Sequence, residues 1–502
     1  MENFRETDVG PHAFQQPPRR GPATAWLNSA QYRLSFHGRF PKIGPLKKFL
    51  VVLLILACAT VSIPVGAYLF WAKAEEAGLR SIQAQIKQSG LPTSHADLFP
   101  KIPPDDRNAA PLLKKAAELV KQMPKESPAL RCVPGSGVKN DTAKLPEKEI
   151  AAIRSVLAGP AAIEVVKLLS EAAGKEECYF ARDYAKGPAL QLPDAVSMIS
   201  AIRLLLNHSW GLAKDGDVAG AVREINSGMR ICEFYMDDPI LITWLVGVAC
   251  EQMCLSAEMN LVSTTEMTSG EIDGLENSVK SRREMIRPSL VRALDGERIF
   301  CGGSIFEQLL SSKTDSRELI ALFGAISSPG EQNVKAAAFY WVYKTPLRPL
   351  LVADYAAYLR FMLQTRKVIL DSQSDEREAR KRTEEIPRTA FLTRLSASVF
   401  VGVARKLHEV EASLDLALLG LQAEKFRIAS GHYPQSLAEI PWDGAVPRDP
   451  FTGGDFHYKA GGGDLLIYSV GPDLVDNHGN PQRVKGERDI VWSVRRSPVA
   501  AD

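Results

Sequence analysis

The stretch Phe49 to Trp71, FLVVLLILACATVSIPVGAYLFW, carries no charged side chain over 23 positions. As a helix rising about 1.5 Å per residue it reaches about 34 Å, enough to cross the hydrocarbon core of a bilayer. A helix is the form that satisfies such a segment's backbone polar groups internally. Tyr68 and Trp71 stand at one end, where interfacial aromatic side chains belong, and Pro64 interrupts one backbone hydrogen bond. Arg33, Arg39, Lys42, Lys47 and Lys48 precede the span, whereas Lys73 is answered by Glu75 and Glu76. The positive-inside bias therefore predicts a bacterial inner-membrane protein, its N-terminus in the cytoplasm and the bulk of the chain on the periplasmic side. Ala72–Ala74 has the small-residue pattern of a signal-peptidase site, and the run ending at Cys58 has that of a lipoprotein box. The apolar core is too long for the first and continues past Cys58 against the second, so a single signal anchor is expected.

Residues 1–48 hold eight Lys/Arg against three Asp/Glu, which leaves the rest of the chain at a net charge of −3. That balance gives no basis for nucleic-acid binding; the expected partners are membrane lipid, through the anchor, and a protein of the envelope. The Pro- and Arg-rich residues 1–48 read as a flexible basic tail, 49–71 as the span, and 72–104 as a stalk and proline-rich linker. Residues 105–390 show apolar side chains at three- and four-residue steps and read as a helical domain. Within it Gly216 and Asp217 predict a stop and an N-cap between antiparallel helices, Asp238–Pro239 predicts the cap of a third, and further helices are expected at 315–325 and 332–343. GDVAGAV has the turn-and-helix pattern of tetratricopeptide-like repeats, without a second copy at that period. The last segment, 391–502, reads as a long helix to Gly431, a Tyr433–Pro434 turn, and period-two runs at 456–460, 465–470 and 489–494. The expected fold is thus mainly α: one transmembrane helix, a middle region of helical hairpins, and a small α+β domain whose long helix packs on a three-stranded antiparallel sheet.

That last order resembles the C-terminal domain of the major pseudopilin of type II secretion systems. The matching residues are Tyr433, Pro434, Asp449, Pro450, Phe451, Gly453, Ser469, Val470, Gly471 and Asp473. The whole arrangement also looks like anchored bacterial helical proteins that carry such a tail. The resemblance implies a calcium-holding final loop, with Asp473, Asp476 and Asp489 where its oxygen ligands would lie. Leu474 replaces the family's glycine, the stretch from Asn477 to Arg488 is basic, and an Asp/Asn/Gly-rich turn also forms without metal. Phe49 to Ala59 lacks the glycine–phenylalanine processing context and the early glutamate of a pseudopilin, so assembly into a pilus is not expected.

No nucleophile elbow or phosphate loop emerges. PGSGVKND lacks the phosphate-loop spacing and reads as a flexible loop. His408 and Glu411 share a helix face at one-turn spacing, a pattern of both metal ligands and solvated helices. His208 reads as a core-edge histidine, Cys250 and Cys254 as buried thiols, and Cys301 as a cysteine without a basic neighbour in sequence. The expectation is a non-catalytic, membrane-anchored scaffold presenting the pseudopilin-like domain to protein partners, in connection with secretion. The alternative is an envelope hydrolase whose site gathers distant residues of the helical domain.

Overall fold

The computed structural model describes residues 44–99, 101–136, 140–311, 347–371, 376–440, 442, 444–480 and 488–496. The helices expected at 315–325 and 332–343 and most of the basic tail lie outside the described residues. The chain divides into two compact units, Met1–Gly66 and Ala67–Asp502.

In the first unit the described residues from Pro45 onward belong to α1 (Pro45–Gln88), which starts before the uncharged run and passes Pro64. It is the one helix among the described residues long and apolar enough to cross a membrane, and none of its most apolar window is buried. Further along, Trp71 Nε1 donates to Glu75 Oε1 at 3.1 Å, and Ile82 and Ile86 are buried.

The second unit is built of helices α2 (Ala110–Gln122), α3 (Glu147–Leu157), α4 (Pro160–Ala173), α5 (Pro193–Lys214), α6 (Val218–Asp237), α7 (Leu241–Thr264), α8 (Ser269–Gly296), α9 (Ser304–Leu310), α10 (Arg348–Leu370), α11 (Glu376–Glu384) and α12 (Phe391–Ser430). The α5–α6 hairpin forms as its turn residues dictate. Gly216 takes φ 89° after α5, and the Asp217 carboxylate accepts from Gly220 N at the start of α6.

The third cap differs from expectation. The α7 helix begins at Leu241, its N-cap residue is Ile240, and no side chain caps it. Asp238 is buried and accepts instead from Arg182 Nε and Tyr184 Oη, each at 2.9 Å. A carboxylate taken out of water is better compensated by a full positive charge than by a backbone amide. Arg182 also grips Asp194 with two bonds of 2.9 Å, tying the 180s loop to the start of α5.

Strands β1 (His457–Gly461), β2 (Asp464–Ser469) and β3 (Ile490–Val494) form an antiparallel sheet in the order β1-β2-β3. Tyr458 pairs with Ile467, and Ile467 with Trp492. The inward side chains Leu465, Ile467, Trp492 and Val494 join the same core as the helices. The long helix α12 covers this sheet, as its apolar face requires. A second helix adds to that cover, because α7 packs on β3, where Ser263 Oγ donates to Ser493 O at 3.2 Å. Gly420 marks the closest approach of α12, since a Cβ there would lie 2.0 Å from Trp492 Nε1.

Candidate functional site

The turn after α12 gathers residues far apart in sequence. Gly431 adopts φ 82° and ends the helix, which brings Tyr433 back over its last turns. Tyr433 is buried, and its hydroxyl donates to Glu424 Oε2 at 2.6 Å. Burial pushes that hydroxyl's pKa up, and the adjacent carboxylate raises it further. Glu424 Oε1 in turn accepts from Arg427 Nη2 at 2.8 Å and Arg496 Nη2 at 2.7 Å. The segment just beyond β3 is thereby pinned to α12. Asp449 is buried as well, its Oδ1 accepting from Phe451 N and Ser469 Oγ, each at 2.9 Å, and Ser469 Oγ accepts from Gly471 N at 3.1 Å. The Asp-Pro turn and the end of β2 are thus locked together.

The three aspartates expected to hold calcium each accept backbone N–H groups of their own loop. Asp473 Oδ1 accepts from Val475 N at 3.1 Å, and Asp476 Oδ1 from His478 N at 2.7 Å. Asp489 is buried and takes Gly479 N at 2.8 Å and Asn477 N at 3.3 Å. Each carboxylate closes a turn of the loop, and Leu474 and His478 hold positive φ values of 58° and 59°. Among the described residues no three His, Cys, Asp or Glu side chains come together as a metal-binding group. Calcium needs six or more oxygens directed at one point, and residues 481–487 of this loop lie outside the described residues.

A cleft of about 300 Å³ opens between α6, α8 and the loops around Phe99 and Cys178. Two arginines on its walls are committed. Arg230 lies 4.4 Å over the Phe234 ring, with Nη1 2.6 Å from Glu233 Oε1. Arg292 lies 5.4 Å over Phe99 and donates to the carbonyls of Asp237 and Leu98 at 2.8 Å. The third, Arg282, is 2% exposed, and its Nε donates to the fully buried Glu251 at 2.8 Å. Its Nη2 meets Met236 Sδ at 2.8 Å, while Nη1 is buried without a partner. Asp237 stands exposed, with Oδ1 3.4 Å from Arg292 Nε.

Behind Arg282 lie three thiols. Burial pushes the pKa of Cys232 of α6 up, and the neighbouring thiols Cys250 and Cys254 of α7 with the Arg282 charge lower it overall, while those two thiols are pushed up. All seven cysteines are unpaired, and Cys250 and Cys254 are buried as expected from their spacing. Burial likewise pushes the Cys178 and Cys301 thiols up, the reverse of activation. His208 Nδ1 lies 2.7 Å from Glu224 Oε1, and that hydrogen bond raises its pKa. His408 meets the Phe451 ring edge-on at 6.1 Å, and Glu411 is clasped by Arg283 and Arg287 at 2.6–3.0 Å.

The cleft was not foreseen from sequence. A signal for it existed, because Glu251 and Glu258 interrupt the apolar face of α7 at seven-residue spacing, and buried carboxylates demand partners or stay neutral. No protein-family model, no curated protein and no solved structure matches the chain.

Proposed function

We propose that this chain is a single-pass interaction protein of the bacterial inner membrane, with its body on the periplasmic side, that offers its C-terminal helix–sheet region to a protein partner. The observation that carries the reading is an apolar loop tip beside an open strand. Leu474 and Val475 are 49% and 52% exposed, and among the described residues β1 has a sheet neighbour on one side only, with His457, Lys459, Ala460 and Gly461 exposed. Such an edge accepts a further strand, and apolar side chains next to it add area to the contact. The spanning helix supplies the tether. The likeness of the Tyr433, Asp449 and Ser469 motifs to pseudopilins is the reason to look for the partner in a secretion apparatus.

Photo-crosslinking residues placed at Lys459 and Val475 in native envelopes test this. A protein adduct at both positions is expected. Absence of any adduct, together with unaffected export after deletion of residues 391–502, removes the proposal. Digestion of the body by protease added to spheroplasts is the expected sign of the orientation.

The hydrolase reading has one favourable observation, the carboxylates that Glu233, Asp237 and Glu176 bring to the cleft from separate elements. Among the described residues the one thiol there is Cys178, whose pKa is raised, and no histidine lines the cleft. With its one thiol held protonated by burial, the arrangement suits binding.

A further inference from the structure

The buried thiols between α6 and α7 belong neither to the docking surface nor to the cleft. The two helices are joined by Asp238–Ile240 alone and pack antiparallel. Two glycines mark where their backbones come closest. A Cβ on Gly247 of α7 would lie 2.9 Å from Cys232 O, and one on Gly228 of α6 would lie 3.0 Å from Cys254 Sγ. Those contacts set the register: Gly228 stands opposite Cys254, and one turn along each helix Cys232 stands opposite Cys250. Cys254 reaches toward the same sulfur through the space that Gly228 leaves without a side chain. The thiols of Cys250 and Cys254 accordingly both neighbour that of Cys232.

A disulfide requires Cα atoms within about 7 Å and Cβ atoms directed at each other. Packed helices meet that requirement most readily where a glycine removes the side chain that would hold them apart, which is the situation of Cys232 beside Gly247. Cys250 and Cys254, one turn apart on α7, point the same way along its face, which disfavours a bond between them.

We propose that Cys232 and Cys250 form a disulfide between α6 and α7 in the exported chain, with Cys254 left as a free thiol beside it. The inference rests on the periplasmic placement proposed above, the side of the membrane on which disulfides persist. The oxidant is itself a disulfide, that of a thiol oxidoreductase or of a small molecule. The Cys232 thiolate attacks one of its sulfurs and expels the other as a thiolate. The Cys250 thiolate then attacks Cys232 Sγ and expels the sulfur still attached. Two protein thiols give up their protons and two electrons, and the oxidant leaves as two thiols. Cys232, Cys250 and Cys254 are 1%, 2% and 0% exposed, so this exchange takes place in the folding chain, before α6 closes on α7.

The full chain in native envelopes is quenched in acid, and its free thiols are blocked with iodoacetamide in denaturant. Disulfides are then reduced, labelled with N-ethylmaleimide and located by mass spectrometry, with an unreduced digest showing which peptides are joined. Cys232 and Cys250 are expected to carry the second label and to be joined, and Cys254 to carry the first. Cys250→Ser should move the link to Cys254, and Cys232→Ser should leave Cys250 and Cys254 free. Protease is added to spheroplasts of the same cells. A digested body with Cys232 free, or with Cys232 joined to a cysteine outside this group, overturns the disulfide and leaves the orientation standing. A protected body with Cys232 free overturns both. A Cys250–Cys254 link in the parent chain overturns the assigned pair.

Discussion

Glu258 offers a quantitative test of how the core of this protein is balanced. It sits on the apolar face of α7, is 1% exposed, and its Oε1 has no hydrogen-bond partner. Burial alone pushes its pKa to about 8, from an ordinary 4.5. The folded state therefore holds the proton over a range in which the unfolded chain has released it. Stability contributed by the neutral carboxyl is complete below pH 4.5 and is lost progressively as pH rises through about 8. The slope is about 1.4 kcal/mol per pH unit, so the loss is about 3 kcal/mol by pH 7 and about 5 kcal/mol at its limit. Glu258→Gln removes the titration while keeping shape. The amide introduces an unmet donor whose penalty, about 1–3 kcal/mol, is independent of pH. The diagnostic quantity is thus the change with pH of the stability difference between variant and parent, and the offset is irrelevant. Denaturant unfolding of the solubilised chain at pH 5, 6, 7 and 8 should show that difference moving in favour of the variant at each step. A difference that stays constant from pH 5 to 8 would falsify the claim that Glu258 is a desolvated, proton-holding carboxyl.

Two other perturbations follow from the C-terminal region. Gly420→Ala gains about 1 kcal/mol in helix propensity, but its Cβ would lie 2.0 Å from Trp492 Nε1. Overpacking of about 1–3 kcal/mol or more should win, lowering the melting temperature, and an unchanged or raised value would mean that β3 is not seated on α12 as described. Calcium at millimolar concentration should leave the unfolding midpoint where a chelator leaves it, because Asp473, Asp476 and Asp489 each serve a separate turn. A stabilisation of about 3 kcal/mol, the effect of ligand at roughly a hundred times its dissociation constant, would show that the loop rearranges around the ion.

What could be read along the chain was whatever is decided within one turn of helix or a few residues of strand. The uncharged run before Ala72 fixes a helix fit for lipid, Gly216 and Gly431 fix where helices stop, and the short apolar run Leu465–Tyr468 between glycines marks a largely buried strand. Asp238 shows the limit of such reading: beside Pro239 it has the composition of a cap, yet Arg182, 56 positions earlier, claims it. The sheet's second cover on α7, the clasp of Glu424 by Arg496 across 72 positions, and the spare Nη1 of Arg282 have the same origin. Local preferences differ by about a kilocalorie, whereas a buried charge left unpaired costs several, so the three-dimensional packing decides which partner each ionic side chain takes. Which of the described segments form helix and which form strand was legible in the sequence; which carboxylate meets which guanidinium was settled only when distant helices came into contact.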